Sequence, residues 1–405
     1  MDLRVPRGGR VWGKATAALG IWLGAQMLTG CGAFFVYPGS TTTGSGGSTT
    51  GDYAFVSNST SGADYISAYS VSSGSLTAAS GSPTALNYEP QAMVVSTNNA
   101  YLFVASGLYI YGYSIGSSGA LTQVGSGALA NDTTEAMAVS PDGQWLITLD
   151  NETSLATPTL NVYEILSGGT LKNSAAVNSV SVNAVNGNPI SLRYPGALAV
   201  SPNGNYIAVA LGTGGVQLFP FTTSTGVVVN NPANISGTPS TGFFAVAIDA
   251  SNDLYVAGTN SGGSEVIESF PVAASSTSVT IGNQASSEPV GNSPAWITVN
   301  AVGTSTTLAD VYVANSKDST ISAFTATSGS LSLVNGGTAY SAPTYVAALG
   351  RESSGDYLVA LGYNTTGGLQ TFTIGSSGTL GTDASAGTSS STYAPAIPAV
   401  IAMTH

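Results

Sequence analysis

Side chains able to do acid–base, nucleophilic or metal chemistry are scarce in this sequence. One Cys, Cys31, and one His, His405, occur in 405 residues. A zinc centre needs several Cys or His ligands, and a disulfide scaffold needs Cys in pairs; neither fits. Lys and Arg number 8 against 20 Asp and Glu, a formal charge of −12. Nucleic-acid binders neutralise phosphates with clustered cations, so that class is excluded. Asp142-Gly143 and Asn203-Gly204 lack the spaced acids of a calcium loop. Gly212-Thr213-Gly214-Gly215 lacks the Lys of a P-loop. No metal and no cofactor is therefore expected. What remains is carboxylate chemistry with a few cations, and no residue is marked out as catalytic.

The basic residues divide sharply by position. Arg4, Arg7, Arg10 and Lys14 precede an apolar run from Ala15 to about Leu28. That is the charged and apolar pattern of an export signal, too short and Gly/Ala-rich for a comfortable membrane span. The run ends in Leu28-Thr29-Gly30-Cys31, which resembles the bacterial lipobox. The resemblance implies cleavage after residue 30 and acylation of Cys31. Gly32 follows, where an Asp would favour inner-membrane retention. The expected location is thus the outer membrane, facing the periplasm or the cell surface. Residues 31–51 then form a tether, with the Gly/Ser/Thr composition of a flexible coil. The processed chain keeps Lys172, Arg193, Lys317 and Arg351 against 19 acids, a net charge of −15. It has no polybasic segment to assist the lipid.

The elements that must position these residues come from a repeat. From residue 52 to the end, one pattern recurs every 45 to 60 residues. A small-apolar strand is followed by a turn such as Ser-Pro-Asp-Gly, then a strand of the type Tyr-x-x-Val-Ala. A strand with alternating aromatics and a Ser-Gly-x-Leu turn complete the unit. Copies open at Pro90, Glu135, Pro195, Phe243, Pro294 and Pro343. Four short strands per unit is the signature of a propeller blade. Residues 53–77 supply the second to fourth strands of a further unit, and residues 395–404 supply its first. The expectation is an all-β, seven-bladed propeller over residues 52–405, closed by pairing N-terminal strands with the C-terminal strand. The third-strand aromatics are expected to pack between blades. Strands covered on both faces explain why only 7% of residues are charged, against about 25% in typical domains.

In such a ring, the loops entering the first strands and the loops joining second to third strands share one face. That face is expected to carry Glu89, Glu135, Asp150, Glu152, Arg193, Tyr194, Lys317 and Asp318. Tyr88, Phe243, Trp296, Tyr345 and Tyr393 fall near the same rim. Acids beside aromatics suit a sugar, a peptide or a cation.

The segment VYVANSKDSTISAFTATSGSLS at residues 311–332, with the repeated turns, resembles the YVTN-type and lactonase-like seven-bladed propellers. That group includes the propeller 6-phosphogluconolactonases. The resemblance spans the body from about residue 52 and implies the fold. Lactone hydrolysis needs a group to activate water and a donor for the developing oxyanion. Where the family presents Arg and His, this chain has Gly196 and Ala197; where it presents Glu, this chain has Leu211. The reading is a lipid-anchored envelope propeller that binds a protein or carbohydrate through its loop face. The alternative is a divergent sugar-lactone hydrolase working through carboxylates.

Overall fold

The computed structural model describes residues 52–60, 63–130, 133–151, 157–172, 176–185, 187–192, 195–236, 242–302, 305, 307–362, 368–382 and 401–404. Seven antiparallel sheets each take up one repeat. Blade 1 comprises Ala92–Val95, Tyr101–Ser106, Tyr109–Ile115 and Leu121–Leu129. The inner strands of blades 2 to 6 are Thr134–Val139, Leu198–Val200, Gly242–Ile248, Pro294–Ala301 and Val346–Arg351. Each touches the inner strands before and after it, and the contacts return from blade 7 to blade 1. Strands such as Trp145–Asp150 and Tyr206–Ala210 are buried at every residue. Blades cover both their faces, so their sequences run apolar without alternation.

Blade 7 is built from both ends of the folded body. Ile401–Met403 is its inner strand and pairs with Asp52–Thr60, placing Ala54 opposite Met403. Ala63–Ser72 and Ser75–Ala78 complete it. The Tyr53 amide donates to Thr404 Oγ1 at 2.7 Å, and the Thr404 amide returns a bond to the Tyr53 carbonyl at 2.9 Å. The expected shared blade is what the structure shows, and it leaves no open edge where the ring meets.

The repeated residues have mechanical roles. At the end of three inner strands, Ser96, Ser140 and Ser201 accept from the amides of Tyr101, Trp145 and Tyr206 at 2.9–3.0 Å. Each serine also donates to the turn residue two positions on: Asn98, Asp142 or Asn203. The Ser-Pro-Asp/Asn-Gly segments are thus self-bonded turns. The aromatic opening the second strand then reaches into the next blade. Tyr53 Oη donates to the Ser117 carbonyl at 2.9 Å, and Tyr101 Oη to Ser167 at 2.7 Å. Trp145 Nε1 donates to the Thr223 carbonyl. All three acceptors lie in Ser-Gly-x-Leu-type turns of the following blade. At Gly226, with φ +68°, a Cβ would lie 2.6 Å from the Trp145 ring. The glycine of one repeat is therefore required by the aromatic of the repeat before it.

Candidate functional site

The leading face, where the inner strands begin, receives the loops that carry most of the expected site residues. Asp150 closes the second strand of blade 2 there, but it is 1% exposed. Its Oδ1 accepts from Thr134 Oγ1 at 2.8 Å and its Oδ2 from Asn161 Nδ2 at 2.8 Å. It ties three strands of its own sheet together. Asn315 closes the second strand of blade 5 in the same manner, donating to Thr320 and Ser322 hydroxyls at 3.1 and 3.0 Å. Asp318 is exposed and held by Asn292, whose amide donates at 2.7 Å and whose Nδ2 donates at 2.9 Å. Those donors hold the Asp318 carboxyl below the usual range, with the neighbouring Lys317 cation adding to the effect. Lys317 itself is exposed.

Glu135 sits at the start of the blade 2 inner strand and is half-buried. Loss of solvent pushes its carboxyl pKa up. Glu89 is exposed in the loop entering blade 1. Glu152, Arg193, Tyr194 and Tyr393 lie outside the described residues, as does Cys31. Phe243 and Trp296 are buried at 4% and 6% exposure.

The turn Pro195–Ala197 contacts the inner strands of blades 2, 4 and 5. Blade 5 is not a neighbour of blade 3, so this turn reaches past blade 4. A Cβ on Gly196 would lie 3.1 Å from both the Ala295 carbonyl and the Trp296 ring. Ala197 is 2% exposed and Leu211 is 0% exposed. The three positions at which the resembled propellers carry Arg, His and Glu are packed closed.

Aromatic exposure is concentrated on the leading face. Tyr345 is 52% exposed and Tyr109 45% exposed, the largest values for any described aromatic residue. Tyr345 adopts φ +51°, a left-handed conformation that costs an aromatic residue energy, and its amide is held by Ser319 Oγ at 2.9 Å. Tyr109 begins a ladder with Tyr111 and Tyr113 on one face of its strand, the first two centroids 6.0 Å apart. Sequence reasoning assigned these aromatics to packing between blades. That holds for Tyr113, 3% exposed, and not for Tyr109.

A second polar assembly lies on the trailing face. Arg351 ends the inner strand of blade 6 and is 3% exposed. It donates to Asn300 Oδ1 of blade 5, with Asp310, Glu352 and Asp52 contributing opposing charge. Burial lowers the Arg351 pKa to about 10 and raises that of Asp310 to about 6. No sequence motif singled out this group. Among the described residues, no cluster of three or more His, Cys, Asp or Glu is placed to hold a metal ion.

No protein-family model and no curated protein matches the chain. Solved structures do. A presumed 6-phosphogluconolactonase from Bacteroides uniformis superposes with a TM-score of 0.65 at 14% identity, covering 83% of this chain and 96% of that one. A second from Bacteroides fragilis gives 0.65 at 12% identity, covering 91% and 100%. A protein of unknown function from Desulfotomaculum acetoxidans gives 0.60 at 17%, covering 87% and 99%. At these identities the likeness speaks for the fold, which function does not follow automatically. The chain is a seven-bladed β-propeller of the lactonase-like fold.

Proposed function

We propose that this protein is a lipid-anchored envelope binding module that engages its ligand through the leading face. The observation that carries the reading is the placing of Tyr109 and Tyr345, the two most exposed described aromatics, on that one face. Tyrosine offers a large, amphipathic contact at low conformational cost and is enriched in recognition surfaces. The strained backbone of Tyr345 supports the same reading, because strain is kept where a side chain must be aimed. Acylation at Cys31, taken from the Leu-Thr-Gly-Cys motif, would hold the body at an outer-membrane surface through the residue 31–51 tether. Two acids on the face are engaged structurally: Asp150 ties its strands through Thr134 and Asn161, and Asp318 holds a loop through Asn292.

The test is site-specific photocrosslinking in intact cells. A photoreactive residue at position 109 or 345 should give a discrete adduct, and one at the trailing-face position 308 should not. Adducts at 308 alone, or none at 109 and 345, would overturn the reading.

A second reading, sugar-lactone hydrolysis, draws on the name given to two structural neighbours. Glu135 favours it, since it is a half-buried carboxyl on the leading face whose pKa is raised by burial, and a carboxyl of that kind suits general acid–base work. A small lactone panel with wild type and Glu135→Gln tests it. Hydrolysis lost in the variant would support it, and no rate above buffer would remove it.

A further inference from the structure

The tyrosine ladder of blade 1 is more than an exposed ring. Tyr111 stacks on Tyr88, with centroids 4.0 Å apart and an interplanar angle of 7°. Tyr88 comes from the loop entering blade 1, just after Thr84–Leu86, which pairs with blade 7. Its hydroxyl shares a hydrogen bond with that of Tyr113 at the buried end of the ladder. The rings are thus fixed from within and presented outward at Tyr109. The backbone makes room for them. The outer strand bulges opposite Ile110–Gly112, and a Cβ on Gly127, at φ +88°, would lie 2.8 Å from the Tyr111 ring. Bulges of this kind re-aim side chains and recur beside working sites.

Both polar and apolar residues adjoin the stack along the chain. Asn87 and Glu89, flanking Tyr88, are both exposed. Leu108, beside Tyr109, is 49% exposed. The hairpin carrying Leu108 is tied back by Gln91, whose Oε1 accepts from the Gly107 amide at 2.8 Å.

We infer that the Tyr88–Tyr109–Tyr111 platform at the blade 7–blade 1 rim is a binding site for an uncharged saccharide; this rests on the leading-face binding reading. A pyranose offers a C–H face that stacks on an aromatic ring, and edge hydroxyls that bond amides and carboxylates. Rings held in a fixed array supply the first, and Asn87 and Glu89 supply the second. Charge narrows the class. The processed chain carries −15, with four bases among 19 acids, so an anionic polymer is repelled from the surface. A protein partner would need a broader apolar centre than one leucine and the exposed part of this tyrosine group.

The experiment is a titration of the purified full-length protein, in a non-glycosidic detergent, with N-acetylglucosamine and glucose oligomers. Isothermal calorimetry reads the affinity. Binding is expected for wild type, at least tenfold weaker for Tyr109→Ala, restored in Tyr109→Phe, and unchanged for the trailing-face variant Leu308→Ala. An oligouronate of equal length should bind more weakly than the neutral oligomers. No saccharide binding, or equal binding by Tyr109→Ala, overturns the inference. If photocrosslinks at positions 109 and 345 then persist to a protein, the saccharide assignment alone has failed. If they are also absent, the leading-face reading has failed with it.

Discussion

Arg351 donates to Asn300 across the interface of blades 5 and 6, at a position where every other inner strand is apolar. Pairing with the second strands aligns Arg351 with Val95, Val139, Val200, Ile248, Val299 and Met403. One inter-blade seam therefore carries a buried cation where the others carry an apolar side chain.

Removing the cation should strand its acids. Arg351→Met leaves Asp310 and Glu352 buried at 5% and 8% exposure. The Asn300 oxygen also loses its donor, and leaving a buried polar group unsatisfied costs about 1–3 kcal/mol. Adding Asp310→Asn should recover a large part of that loss in urea unfolding. A single variant as stable as wild type would contradict the role assigned to Arg351.

The protein should gain stability on mild acidification. Burial raises Asp310 and Asp249 to about 6, against hydrogen bonds from Ser251, Asp253 and Tyr255 in the second case. Unfolded Asp titrates near about 3.9. Between about pH 4 and 6 the folded state therefore holds more protons than the unfolded chain. Stability rises as pH falls through that window, by up to about 3 kcal/mol per group. Asp52, Glu135, Asp253 and Glu268 shift in the same direction, while the exposed Asp318 shifts in the other. The urea midpoint should be higher at pH 5 than at pH 7.5, and Asp310→Asn with Asp249→Asn should flatten the difference. A midpoint that drops from pH 7.5 to 5 would refute this.

The seam between blades 2 and 3 should be sensitive to a single methyl group. Gly226→Ala places a Cβ against the Trp145 ring at positive φ. The expected cost is about 2–4 kcal/mol from left-handed strain and overpacking. Gly168→Ala is the control, since a Cβ there meets nothing within 4 Å. Equal stability of the two variants would contradict the interlock.

Cys31→Ala should abolish labelling by a fatty-acid probe and alter processing. A variant that stays labelled and membrane-bound would remove the lipobox reading.

The fold was legible because the repeat states it. YAFVSN near the start of the body and PAIPAVIAMT near the end read as complementary parts of one blade, and within them Ala54–Val56 pairs with Ile401–Met403. The site was less legible, for physical reasons. Asp150 ends its strand as a loop-face acid should, yet its oxygens turn inward to Thr134 and Asn161. Direction of that kind is set by neighbouring strands, which local sequence does not report. The ladder Tyr109, Tyr111 and Tyr113 reads uniformly as core, because alternation shows which side the rings occupy and not where burial ends. Arg351 did carry a signal. Aligning the inner strands by their pairing makes it the one charged residue in an apolar column.

The central claim is that recognition occurs on the leading face, and capture from solubilised envelope tests it most directly. Full-length protein bearing Tyr109→Ala with Tyr345→Ala should lose most of what wild type retains, while Leu166→Ala with Leu308→Ala on the trailing face should lose nothing. Equal retention by the leading-face variant, or loss confined to the trailing-face variant, would contradict the account.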